Sequence, residues 1–337
     1  MDDILESALV ESSELDIELL SGTSLADTEY VDGIVLLSFL TEIMQTMLNK
    51  ISTSKFIRPS GFLTNGLLRA LSSRANQEPL VLSEYIESGV QVLTLNNATR
   101  ANCLSLRLIK ELHKKIKEVK ELDNVRALII RGGGQFFSAG HDLNELVEGG
   151  AGSRADLFSA CSHMMLDLAK LQIPSIAAVH GPAHAAGCQL VATCDLAVAG
   201  ESATFATSGI KLGLFCSTPA IALVRAIGLR AAKEMLFTGH SIDANRAYEL
   251  GLVHRVVADE QVFEASLELA REISQHNRPV ICMGKRGLTA QASMDISDAY
   301  DVATQVMLHN LELEDTQRGI KSFINKQPLP VWTHKSD

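Results

Sequence analysis

Two short glycine-bearing stretches carry the residue types of an oxygen-binding site: Phe136-Phe137-Ser138-Ala139-Gly140-His141-Asp142-Leu143 and His180-Gly181-Pro182-Ala183-His184-Ala185-Ala186-Gly187-Cys188-Gln189. Each directly follows an apolar run with β-branched residues, Val125 to Ile130 and Ile173 to Val179, of the kind that forms a buried strand. A helix is expected to begin after each loop. Asp142 with Glu145 three residues on reads as a capping box, so free amides at that helix start point toward whatever sits over the loop. Two such amides, brought from different strands to one oxygen, would make an oxyanion hole, and the chemistry is the holding of negative charge on a carbonyl oxygen.

Charge held on a carbonyl oxygen becomes a reaction only if something moves a proton or attacks the carbon. His141 and His184 stand in the two loops, and imidazole is the side chain best tuned for proton transfer near neutrality. Against that, a ring packed in fixed apolar surroundings stays neutral and structural, and at His141 the amide alone could matter. Cys216 is a nucleophile only if its thiolate is stabilised; otherwise it is a small buried apolar residue. Asp195, at a strand start, reads as a partner for backbone amides rather than a base. His180 and His184 are four apart, but Gly181-Pro182 breaks any helix between them and no Glu follows His180, so a metal site is not expected. Ser138, His141 and Asp142 have the types of a hydrolytic triad, yet three residues in one turn can hardly chain their side chains together. Gly132-Gly133-Gly134 lacks the spacing of a phosphate loop and reads as a strand-to-loop exit.

With these loops in place the sequence resembles the enoyl-CoA hydratase/isomerase, or crotonase, superfamily from about residue 81 onward. The likeness rests on both loops, on Arg100-Ala101-Asn102-Cys103-Leu104-Ser105, and on Cys194-Asp195-Leu196-Ala197-Val198-Ala199. It continues through Phe237-Thr238-Gly239, the stretch Ala244 to Val253, and the ending Gly319-Ile320-Lys321-Ser322-Phe323. The resemblance implies an acyl-CoA thioester as ligand, with coenzyme A entering as part of the substrate and no separate cofactor or metal. It places the oxyanion amides on His141 and Ala186, and the two hydratase glutamates on Gln189 and Gly209, neither of which is a carboxylate. It lays the CoA moiety along Ala101, Cys103 and Leu104 and across Ala139 to Leu143. Phe323 and Lys326 fall near the nucleotide end, from a neighbouring subunit, although Lys326-Gln327-Pro328 departs from the family's more basic ending.

Hydration of a conjugated double bond needs a base for the water and an acid for the α-carbon. Gln189 can hold a water but not exchange a proton usefully, and Gly209 has no side chain. General acid–base catalysis is worth about 10²–10⁴-fold. An oxyanion-hole donor is worth about 10²–10³-fold. Enolate stabilisation is therefore expected to survive, and ordinary hydration to be weak or absent. Three functions remain open: an acyl-CoA enzyme of fatty acid metabolism whose chemistry needs no glutamate pair, a noncatalytic acyl-CoA-binding or regulatory protein, and a structural subunit for catalytic relatives.

The rest of the chain sets the context. Its 337 residues are 46% apolar, enough for a substantial core with extensions. Thirty basic against forty acidic residues give a net charge of −10, which offers no general attraction for nucleic acid. Lys110, Lys114, Lys115, Lys117 and Lys120 read as a solvated helix face. The six cysteines form no CxxC pair, which argues against a zinc ribbon or a disulfide framework and fits a reducing compartment. Residues 1–46 are acidic, without Lys or Arg. Residues 47–79 hold a basic, Ser-rich, amphipathic stretch of the composition of a mitochondrial transit peptide, which implies the matrix. Such a peptide is read only at an N-terminus, so Met47 is expected to be a true or alternative start, with 1–46 a gene-model or isoform-specific extension; a disordered linker after an acidic helix is the other reading. The apolar patch Val31 to Leu40 is too short to span a bilayer, and no transmembrane segment is expected.

Strand-like runs at Val90–Leu95, Ala127–Ile130, Ser175–Val179 and Leu196–Ala199 alternate with helical patterns at Leu104–Lys120, Ala155–Leu171 and Ala185–Ala192, as in βαβ units of an α/β fold. Beyond residue 218 the patterns are helical. The resemblance supplies the arrangement: a ββα spiral core over 80–275 and a C-terminal helical trimerisation region over 276–337, in a homotrimer or a homohexamer.

Overall fold

The computed structural model describes residues 78–86 and 88–335. The acidic extension and all but Glu78 and Pro79 of the transit-like segment lie outside the described residues.

A six-stranded sheet organises the core. Its strands are β1 (Val81–Ile86), β2 (Val90–Leu95), β3 (Ala127–Gly132), β4 (Ser175–Val179), β6 (Leu196–Gly200) and β9 (Arg255–Val257), in the spatial order β1-β2-β3-β4-β6-β9. β1 pairs antiparallel with β2, and every other pair is parallel. Strands β2, β3 and β4 are almost wholly buried, as parallel strands covered on both faces must be. On one face Leu93, Leu128, Ile130, Ala177 and Val179 belong to the core that includes helix α1 (Leu106–Lys120) and helix α3 (Ala151–Ala169). On the other, Val92, Ile129, Ile176 and Val198 pack with α7 (Val262–Ser274). Alternate residues of each strand thus serve two cores, which the period-two geometry of a strand requires.

Helix α1 shows how sequence selects element. Ser105 caps it, its hydroxyl accepting from the Leu108 amide at 3.3 Å, and Leu108, Ile109, Leu112, Ile116 and Val119 form one buried stripe. Lys114 and Lys117 face outward at 75% and 60% exposure, the solvated face the charge pattern suggested. The helix starts two residues later than the apolar pattern alone indicates, because Leu104 is held in a parallel bridge with His141.

A three-stranded sheet, β5 (Ala183–His184), β7 (Thr204–Ala206) and β8 (Ile242–Asp243), carries the second glycine loop into α4 (Ala186–Thr193). Short α2 (Leu143–Glu148) follows the first loop. Helix α5 (Ser217–Thr238) opens the region expected to be helical, and Gly228, at φ 76°, breaks it. After α6 (Ala244–Glu249), β9 and α7, the chain turns into α8 (Arg278–Gln291), α9 (Ile296–Glu312) and α10 (Glu314–Ile324).

Two acids, one exposed and one buried, tie this last region down. Asp195 accepts from the Ser175 amide and hydroxyl at 2.7 and 2.8 Å and pairs with Lys285 of α8 at 2.6 Å, so it is the structural partner its strand-start position implied. Asp315 of α10, 2% exposed, accepts from Asn277 Nδ2 at 2.6 Å, the Thr333 amide at 2.7 Å and the His334 amide at 3.1 Å. Arg318 adds an ion pair at 2.8 Å, and these donors together hold the Asp315 carboxyl below its usual range despite burial. Among the described residues no helix is long and apolar enough to cross a membrane.

Candidate active site

The two loops leave the carboxyl ends of adjacent parallel strands, β3 and β4, and close on each other. Ser138 and Ala183 form a parallel bridge, and the His184 amide donates to Ser138 O at 2.9 Å. A third strip lies alongside: the Ala139 amide donates to Ala101 O at 2.9 Å, and the Leu104 amide to Gly140 O at 2.7 Å. Backbone pairing thereby gathers Ala101, Cys103, Leu104, Ala139, His141 and Ala186. Asn102, fully buried at φ 50°, fixes the strip by donating to the carbonyls of Gly133 and Phe136 at 2.8 and 2.7 Å.

Gly140 is the point of closest approach. Its φ of 92° is a conformation side chains avoid, and a methyl group there would lie 2.9 Å from His184 O and 3.1 Å from the Ala186 nitrogen. The next residue on one loop is His141; the amide beside it on the other is that of Ala186, the first residue of α4. Among the described residues neither of these two amides donates a hydrogen bond to the protein.

Ala185, just before α4, is strained at φ 49°, ψ −116°. Such a conformation costs a residue with a Cβ about 1–3 kcal/mol. Ala185→Gly is therefore expected to stabilise the protein by about 1 kcal/mol, after the added chain entropy of glycine is offset. A chemical denaturation midpoint below that of the unaltered protein would contradict this.

A cavity of about 400 Å³ opens over these amides. Ala139, His141, Leu143, Ala185 and Ala186 line one side, and Ser208, Gly209 and Leu212 with Leu214 to Pro219 the other; Leu146 and Phe158 complete it. Its apolar walls suit a hydrocarbon chain, with few polar groups to orient it.

His141 donates from Nδ1 to Leu104 O at 3.3 Å, since a carbonyl can only accept, which leaves Nε2 as the unprotonated nitrogen. Burial holds this imidazole below its ordinary value, opposed by the Leu104 carbonyl and by Glu145. Its ring meets that of Phe158 edge-on at 5.2 Å. His184 instead bonds Thr204 Oγ1 at 3.2 Å and is not part of the cavity wall. Cys216 stands at the residue before α5 in the wall, and burial pushes its thiol up, against a lowering backbone hydrogen bond from Gly209.

Gln189 and Gly209, where the resemblance places the family's two hydratase glutamates, differ from each other. Gln189 lies one turn into α4, 5% exposed, with Oε1 buried and unpartnered among the described residues. Gly209 sits in a 3₁₀ turn, Ser208–Leu212, and a Cβ on it would come 2.5 Å from Leu214 O and 2.8 Å from Cys216 Sγ. The space a side chain would need at 209 is filled by the following loop.

One expectation, the capping box, changes. Asp142 caps α2 by accepting from the Asn144 amide at 3.1 Å, but Glu145 does not close a capping box; its carboxylate accepts from the Leu106 amide at 2.8 Å, at the start of α1. A cross-strip contact of this length in sequence wins because it fills an orphan amide of a longer helix. Ser138, His141 and Asp142 go to separate partners: Asn102 O, Leu104 O and Arg100, the last at 2.9 Å. Phe323 and Lys326 are not brought to the cavity within this chain. Phe323 is 78% exposed and lies instead beside Ile320 and Trp332 in a separate hollow.

Missed from the sequence were the cavity walls at Phe158, Leu212 and Leu214 to Pro219. In the run from Leu214 to Pro219, apolar residues with no periodicity give no sign that they face a ligand rather than a core.

The sequence matches the family model described as enoyl-CoA hydratase/isomerase over residues 85–335. It is 41% identical over 276 residues to enoyl-CoA hydratase domain-containing protein 3, mitochondrial, of Rattus norvegicus, spanning 82% of this chain and 91% of that one. It is 31% identical over 250 residues to 2,3-dehydroadipyl-CoA hydratase of Escherichia coli, spanning 73% of this chain and 97% of that one. Among solved structures, human enoyl Coenzyme A hydratase domain-containing protein 3 superposes with a TM-score of 0.73 at 41% identity, over 76% of this chain and 100% of the other. An enoyl-CoA hydratase of Mycobacterium smegmatis does so with a TM-score of 0.73 at 41% identity, over 75% and 99%.

Proposed function

The chain belongs to the enoyl-CoA hydratase/isomerase family, and from that premise we propose that it binds a fatty acyl-CoA thioester and stabilises its enolate oxygen with the amides of His141 and Ala186. Ordinary hydration of enoyl-CoA is weak or absent. What supports this reading is the contact at Gly140, which brings the Ala186 nitrogen against the loop that carries His141, next to an apolar cavity lined by both residues, with both amides unpartnered among the described residues; Gly209, where the resemblance places one hydratase glutamate, has no room for a side chain. Ala101, Cys103, Leu104, Ala139 and Leu143 hold the ligand beside the amides.

A noncatalytic acyl-CoA-binding or regulatory role is the second reading, favoured by the lack of a carboxylate in the cavity lining. Ala186→Pro separates the readings. Proline removes the N–H and is tolerated at the first position of a helix, and circular dichroism of the variant reports whether the fold is retained. In the first reading the variant loses about 10²–10³-fold in turnover together with affinity. In the second it loses affinity alone. Calorimetric titration with a fatty acyl-CoA beside a turnover assay reads both, and unchanged affinity would remove the oxyanion assignment.

The protein acts in the mitochondrial matrix, in keeping with the word mitochondrial in the names of its relatives. It assembles as a homotrimer or homohexamer through its C-terminal helices, whose residues Leu288, Ile296, Tyr300 and Met307 are exposed apolar surface in the single chain. In such an assembly Phe323 and Lys326 serve the nucleotide end of a neighbour's ligand.

A further inference from the structure

Among the described residues lining the cavity, two ionise, His141 and Cys216. The Cys216 thiol is pushed up by burial and is a poor proton acceptor at neutral pH. His141 differs in kind. Its Nδ1 proton is committed to Leu104 O, and its Nε2 is screened from solvent with no partner among the described residues. A buried acceptor without a donor is a rare arrangement in a folded protein, and it is costly unless a ligand or a water supplies the hydrogen.

Building on the acyl-CoA reading above, we infer that His141 is the proton-transfer group of this site, its amide donating to the thioester oxygen while Nε2 removes a hydrogen from the α-carbon of the acyl group. In that step the α C–H bond breaks and its electron pair forms the C=C of the enolate. The carbonyl π pair moves onto the oxygen held by the two amides, and the proton goes to Nε2, leaving an imidazolium. Returned to the α-carbon, the proton gives exchange; delivered to the γ-carbon of a β,γ-unsaturated thioester, it completes a double-bond shift. Neither outcome needs a co-reactant.

The surroundings fit the role. Glu145, held by the Leu106 amide, is the acid whose charge favours the imidazolium, and Asp142 close by is already paired with Arg100. Cys216 is in the same cavity, and the Phe158 ring lies against the imidazole. The tautomer required for a base is the one the Leu104 carbonyl imposes.

The test is deuterium uptake at the α-carbon of hexanoyl-CoA and of 3-hexenoyl-CoA in D₂O, read by mass spectrometry on the full chain, with hexanoyl-CoA affinity measured in parallel. His141→Asn keeps the backbone amide and removes the base; His141→Gln is a second variant in case the first does not fold. Either is expected to keep affinity within about threefold while exchange falls about 10²–10⁴-fold. In the unaltered protein, exchange rises with pH and levels off below the ordinary histidine value of 6.5, because the neutral ring is the active form and burial favours it. His184→Gln exchanges normally. Undiminished exchange in both His141 variants overturns the assignment, and so does absent exchange in an unaltered protein that binds hexanoyl-CoA. Failure of the unaltered protein to bind would instead remove the acyl-CoA reading itself.

Discussion

Gly140→Ala is expected to lose acyl-CoA binding and turnover together and to lower the melting temperature. The added methyl group would stand 2.8 Å from Ala185 Cβ, 2.9 Å from His184 O and 3.1 Å from the Ala186 nitrogen, and the backbone at φ 92° excludes it independently of those contacts. No neighbour can yield cheaply. Two of the three contacts are backbone, and the third belongs to Ala185, itself held at φ 49°. Strain of this kind costs about 1–3 kcal/mol. In a domain of this size each kcal/mol lowers the melting temperature by about 2–4 °C. Relief comes only by parting the two loops, which moves the Ala186 amide away from the oxygen it is to hold, and losing one such donor costs about 10²–10³-fold. Scanning calorimetry and titration with an acyl-CoA read the two effects. A Gly140→Ala protein with unchanged affinity would mean that the loops do not form the binding site.

Placing carboxylates at 189 and 209, where the resemblance puts the hydratase glutamates, is not expected to produce hydration, for a reason invisible in the sequence. Gln189→Glu is nearly isosteric and is expected to fold, at the cost of a charge in a position only 5% exposed. Gly209→Glu is another matter. Its first carbon already meets Leu214 O at 2.5 Å and Cys216 Sγ at 2.8 Å, and the loop is pinned in place by the Leu214 amide donating to Gly209 O at 3.0 Å. Overpacking a filled site costs about 1–3 kcal/mol. The double variant is thus expected to melt at lower temperature and to leave a short 2-enoyl-CoA unhydrated, measured as a constant conjugated-thioester absorbance. Robust hydration by the double variant would show that the loop moves aside freely. Silence in both proteins, with acyl-CoA binding intact in the unaltered one, fits a site given over to other chemistry.

The parts legible in the sequence were those where one physical signal dominates. β2 and β4 were expected at the residues they occupy, because buried parallel strands read as short unbroken apolar runs between turns. The two loops were legible because strand, glycine and helix start follow one another without interruption. β1 (Val81–Ile86) was not, since it is an edge strand with four of its six residues exposed and little apolar pattern to see. Helix α10 was not singled out, although its apolar faces are anchored by Asp315, because the anchor's partners come from α8 and from the tail. The site divides in the same way. That His141 and Ala186 lie in the two loops could be read from neighbouring residues, whereas the far wall and the crowding at Gly209 arise from chain segments meeting in space. Glu145 was misjudged for that reason too: its sequence spacing favoured a local bond, and its partner is 39 residues away.

The carboxylate of Asp315 also changes what it means to shorten this chain. The ends of most domains can be trimmed with little loss because their amides are bonded to water. Here the amides of Thr333 and His334 are two of the donors that keep an interior anion satisfied. Cutting before them does not merely remove a frayed end; it leaves an ionised group facing the inside of the protein short of its solvation. The last turn of the chain therefore belongs to the interior in an electrostatic sense, although most of its atoms are at the surface.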